Sequence, residues 1–94
     1  MEATARRKVP GGKLLSVRLE HDGLSIIGAE VSGDFFLYPE ESIALLEKTL
    51  AGVPVSAEAE EIAMIIEKTM TKHGILAVGF GPRDLAAVIR EALG

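Results

Sequence analysis

The run KLLSVRLEHDGLSIIGAEVS, residues 13–32, reads as two strands and the turn between them. Over residues 13–21, Leu15, Val17 and Leu19 fall on one side and Ser16, Arg18 and Glu20 on the other. A period of two sends successive side chains to opposite faces of a sheet, so this is a half-buried strand. Asp22-Gly23 follows, the pair that a tight hairpin turn takes because both positions tolerate positive φ. In the return strand, residues 24–32, Leu24 and Ile26 share a face. Ala29 and Val31 continue it only after a slip of one residue at Ile27-Gly28, which a β-bulge at Gly28 absorbs.

Beyond the hairpin the period changes from two to that of a helix. In PEESIALLEKTLAG, Pro39 suits the first helical turn, Glu40 and Glu41 complement the positive end of the dipole, and Gly52 marks the stop. Ile43, Leu46 and Leu50 form the apolar stripe of this helix. A second helix is expected after Ser56 as N-cap, with Ile62, Ile65, Ile66 and Met70 inward and Glu60, Glu61, Glu67 and Lys68 outward, ending at His73-Gly74. ILAVGF, residues 75–80, reads as a short strand or buried connector. GPRDLAAVIREAL reads as a third helix with Leu85, Val88, Ile89 and Ala92 inward. The expected fold class is α+β: a small antiparallel sheet, the hairpin plus a third strand, with three helices packed on one face.

Ninety-four residues, 48% of them hydrophobic, suit one domain with a single core. With no cysteine, disulfide, thiolate-metal and cysteine-nucleophile chemistries are excluded. No apolar run approaches the roughly twenty residues that span a bilayer, and MEATARRKVPGGK lacks the apolar centre of a signal peptide, so a cytoplasmic location is expected. The net charge of −4 is unevenly spread: Arg6, Arg7, Lys8, Lys13 and Arg18 lie between residues 3 and 19 with no acid among them. Residues 1–8 are therefore expected to form a mobile basic arm, either a solvated tail or an edge that meets an anionic partner.

Two segments stand out as candidates for function. In KVPGGK, residues 8–13, Gly11 and Gly12 could offer backbone N–H groups to an anion while Lys8 and Lys13 supply charge. Equally, Pro10-Gly11-Gly12 is an ordinary turn into a strand. It is not a P-loop: the spacing, the Gly-Lys-Ser/Thr ending and the following helix are all missing. In SGDFF, Gly33 permits an unusual backbone angle and Asp34 could cap a turn. Phe35 and Phe36 either point opposite ways, one as core and one as a partner anchor, or both enter core pockets. Leu45 and Met64 lie opposite the main stripes of their helices, which suits docking on a larger body. His21 and His73 have no neighbours at metal spacing, and no nucleophile elbow or paired catalytic acids are visible. No catalytic residue and no metal ligand are assigned.

KVPGGK leading into a strand and hairpin, followed by EVSGDFFLYPEESIALLEKTLAGV, resembles the small accessory domain of lipoate-protein ligases in its separate-polypeptide form. The resemblance spans about residues 8 to 73. It is most specific in the Lys-x-Pro-x-Gly-Lys start and in Gly-Asp-Phe-Phe before a helix ending Leu-x-Gly. It implies that residues 9–94 are a single accessory domain and that the partner is a large catalytic subunit, in a heterodimer. That subunit would bind lipoate, ATP and Mg²⁺, form lipoyl-AMP, and transfer the lipoyl group to a lysine of acceptor domains, which this chain meets only indirectly. No cofactor is expected on this chain. On this resemblance Lys8, Pro10, Gly11, Gly12 and Lys13 would face the shared cleft, and Gly33, Asp34, Phe35, Phe36, Leu45 and Met64 the partner. The alternative from another class is a free-standing small-molecule or anion-binding module using KVPGGK. Nucleic-acid binding is remote, given an acidic body and no reader motif.

Overall fold

The computed structural model describes residues 1–11 and 13–94; Gly12, expected in the loop site, lies outside the described residues. Strands β1 (Glu2–Lys8), β2 (Leu14–His21) and β3 (Ile26–Gly33) form an antiparallel sheet in that order. Strands β4 (Phe36–Tyr38) and β5 (Leu76–Val78) make a separate two-stranded ribbon. Helices α1 (Ser42–Leu50), α2 (Ala59–His73) and α3 (Pro82–Leu93) complete an α+β fold.

The hairpin of β2 and β3 follows the alternation in the sequence. Leu15, Val17 and Leu19 are buried, as are Ile26 and Val31 opposite them on β3. Glu20 pairs with Gly28 but His21 pairs with Ile26, so Ile27 has no partner and the slip is absorbed beside Gly28, where it was expected. The turn is wider than the tight Asp-Gly pair expected: it runs over Asp22–Ser25, with positive φ at Gly23 but not Asp22 and Leu24 exposed outside the strand. It takes this form because the Asp22 carboxylate accepts the Leu24 and Ser25 N–H groups, both at 2.8 Å.

Residues 1–8 are corrected from arm to strand. β1 pairs along its length with β2, from Glu2 opposite Glu20 to Lys8 opposite Leu14, and Ala3 and Ala5 pack against the core. Alanine and arginine give a weak strand signal on their own; the β2 partner and the α3 cover supply what propensity does not. The third strand of the main sheet is thus β1, whereas ILAVGF supplies β5 of the ribbon.

α3 lies over β1 and β2, α1 over β3, and α2 against α1 and α3. Leu46, Leu50, Ile62, Ile66, Leu85, Val88 and Ile89 are fully buried between these layers, while Ile43, Ile65, Met70 and Ala92 pack at the margin. Two helix starts shift from the expected positions. Ser42 donates its N–H to Pro39 O at 3.0 Å, so Pro39 sits in the turn before α1 rather than in its first turn. Ala57 likewise bonds to Pro54 O at 3.0 Å, and this turn moves the N-cap of α2 from Ser56 to Glu58, whose N–H donates to Glu61 Oε1. Gly74 closes α2 as expected. The outer sheet face, away from the helices, carries Thr4, Arg18 and Glu30 in one cross-strand row, with Arg18 3.6 Å from Glu2 and 3.9 Å from Glu30. Among the described residues no helix is long and apolar enough to cross a membrane.

Candidate functional site

KVPGGK is the loop that joins β1 to β2. Lys8 and Leu14 are the last pair of the ladder, and Val9 N–H donates to Lys13 O at 2.8 Å across the base of the loop. Val9 is buried and pins the loop to the core; Lys8, Pro10, Gly11 and Lys13 face outward.

The end of β3 lies directly on the start of β2. Gly33 is opposite Leu15 at φ +147°, and a Cβ there would stand 2.1 Å from Leu14 O. No side chain fits that gap or that backbone angle. The contact lets Asp34 N–H donate to the same Leu14 O at 2.9 Å. Residues 34–36 are thereby carried across to the β1–β2 loop.

Phe35 turns inward, its ring edge-on to Phe80 at 5.0 Å between centroids and 76° between planes. Gly79 allows this packing, because a Cβ at that residue would meet Phe35 Cβ and Asp34 O at 3.1 Å each. Phe36 points to water. Gly11, Lys13, Gly33, Asp34, Phe35 and Phe36 together line one open cleft of about 540 Å³. The two segments singled out in the sequence are therefore the two walls of one site.

Leu45 and Met64 are not part of it. Leu45 is half-buried and packs against the core, which corrects its placement on a free helix face. Met64 is exposed on α2, beside Glu67, Lys68 and Thr71 on another surface. Among the described residues Lys13 and Asp34 make no ion pair, so the cleft holds one free charge of each sign. Its only titratable side chains among those residues are these two, and they form no nucleophile–base pair. Among the described residues no three His, Asp or Glu side chains converge to hold a metal ion. The cleft can hold and orient a neighbour through backbone groups, one ammonium, one carboxylate and an aromatic face.

No protein-family model matches the chain. It is 36% identical over 77 residues to lipoate-protein ligase A subunit 2 of Thermoplasma acidophilum, a match that covers 82% of this chain and 77% of that protein. The chain belongs to the lipoate-protein ligase A subunit 2 family. A solved chain from the archaeal lipoylation system of Thermoplasma acidophilum, described as a bipartite lipoate protein ligase and its E2 lipoyl domain, superposes with a TM-score of 0.79. It shares 33% identity and is aligned over 96% of both chains. The resemblance drawn from KVPGGK and SGDFF is thereby shown, and the structural match extends it through α3.

Within this subunit 2 fold, three exposed side chains near the cleft had escaped the sequence reading. Tyr38 follows Phe36 on β4, and Leu76 and Val78 lie opposite them on β5. The signal was present in the alternation of Phe36, Leu37 and Tyr38, but three residues are too short a window to separate a strand from a loop.

Proposed function

We propose that this chain is the non-catalytic accessory subunit of a two-subunit lipoate-protein ligase, required for ATP-dependent activation of lipoate to lipoyl-AMP. The observation that carries this reading is the cleft. Its walls come from the two segments on which the family resemblance rests, and it offers backbone, charged and aromatic groups able to position a neighbour. In this reading lipoate, ATP and Mg²⁺ are held by the large subunit. Lipoyl-acceptor domains then meet the large subunit after adenylation.

Mechanistically, Val9–Gly11, Lys13 and residues 33–36 form a rim anchored through Val9, Leu14 and Phe35. Seated against the large subunit, that rim holds the partner's substrate loop in the geometry needed for attack on ATP. Fixing reactants in place supplies several kcal/mol of barrier reduction without a catalytic side chain. Lys13, exposed on the rim and without a carboxylate partner among the described residues, is the group placed to meet negative charge across the interface.

Lys13→Ala is the test. With the complex intact by gel filtration, lipoyl-AMP formation is expected to fall about tenfold or more, equivalent to roughly 1.4 kcal/mol of lost stabilisation. Transfer from preformed lipoyl-AMP to an acceptor domain is expected to change less. Undiminished adenylation in Lys13→Ala would remove the loop from the reaction. Lys8→Ala is the milder variant, since Lys8 does not line the cleft.

A further inference from the structure

The β4–β5 ribbon is apolar on both faces. Leu37 is buried beneath it and Ala77 packs against the core. On the opposite face the direct cross-strand pairs are Phe36 with Val78 and Tyr38 with Leu76. These four side chains remain 63%, 48%, 54% and 60% exposed, respectively. Directly opposed side chains touch, so the four form one continuous patch, on the order of 400 Å², the size at which an apolar surface on a monomer is commonly functional. Neither FFLYP nor ILAVGFGP contains a charged residue, so the ribbon lacks the lysines and inward charges that protect exposed strands from stray pairing.

We infer that this ribbon face is the apolar centre of the interface with the large ligase subunit, which meets it with an apolar surface of its own. The inference rests on the two-subunit reading above. Continuity selects the occupant: Phe36 belongs both to the ribbon face and to the cleft, so a body seated on the ribbon borders Lys13 and Asp34. That arrangement, aromatic and aliphatic side chains bordered on one side by charged ones, matches the apolar centre and polar margin of protein interfaces. Size argues against a second copy. A stable interface buries roughly 800 Å² on each partner, and two ribbons face to face would bury about half of that while closing the cleft in both chains.

The test measures binding of the large subunit encoded by the same organism, by calorimetry, to wild-type chain and to Phe36→Ser, Leu76→Ser and the double variant. Each single change is expected to raise Kd about tenfold and the double change about a hundredfold. Leu24→Ser and Ile27→Ser, at residues 76% and 57% exposed at the far end of the β2–β3 hairpin, serve as controls. They are expected to shift Kd less than about twofold. Unchanged circular dichroism and melting show that the ribbon variants fold. Wild-type binding with an unaffected double variant overturns the ribbon assignment and leaves the two-subunit reading standing. Absence of wild-type binding overturns both. Self-association of the wild type that Leu76→Ser abolishes, with large-subunit binding retained, assigns the ribbon to a second copy and also overturns the inference.

Discussion

Gly33 connects fold and site in a single residue. Gly33→Ala would force a methyl group against Leu14 O at a backbone angle that L-residues avoid, so the β2–β3 contact must open. A loss of more than about 2 kcal/mol in denaturant-measured stability is expected, together with loss of adenylation support, because the same contact holds Asp34 to Phe36 beside the loop. Asp22 gives a prediction in pH. Hydrogen bonds from the backbone of Ser25 and Leu24 hold its carboxyl below the usual 3.8. A lowered folded value means that the carboxylate stabilises the turn above pH 3.8 and that this contribution fades as pH falls through the lowered value. Asp22→Ala should therefore lower Tm at pH 7, with the gap to wild type narrowing as pH falls below 3.8; a gap that stays constant as the pH is lowered would contradict this. At this level the sequence was informative where chemistry is local: the place of the turn at Asp22-Gly23, though not its four-residue width, the bulge beside Gly28 and the glycine of SGDFF were all visible in it. The in-or-out choice for Phe35 and Phe36 was not, because it depends on Phe80, distant in the chain.

Among the elements, those with long periodic stripes were legible and those that depend on a partner were not. α2 and α3 place Ile62, Ile66, Leu85, Val88 and Ile89 as their spacing required. β1 carries only alanines toward the core, so its strand character comes from β2, and the ribbon needs two segments 38 residues apart, such as Tyr38 and Leu76, to meet. The end of α3 is tied down by Arg90, whose guanidinium donates to Val55 O at 2.8 Å and to Ala57 O, in the turn that delays α2. Arg90→Met keeps the stem and strands two part-buried carbonyls. The expected cost is about 1–3 kcal/mol, read as a lower midpoint in urea with an unchanged slope. The Glu60–Arg83 pair between α2 and α3, by contrast, is exposed, and Glu60→Gln should leave the midpoint nearly unchanged.

For the molecule as a whole, a three-stranded sheet with helices on one face leaves open, among other surfaces, the polar outer sheet and the edge where cleft and apolar ribbon adjoin. The second is apolar along the ribbon and carries KVPGGK and SGDFF, the segments from which the resemblance to the ligase family was read. The division of labour proposed for this subunit is that it supplies shape while the large subunit supplies chemistry. The most direct measurement is lipoyl-AMP formation by the purified large subunit with lipoate, ATP and Mg²⁺, in the absence and presence of one equivalent of this chain. A rise of at least about tenfold on addition, with no product from this chain alone, is the expected result. A large subunit that works equally fast unaided, or adenylate made by this chain alone, would contradict it.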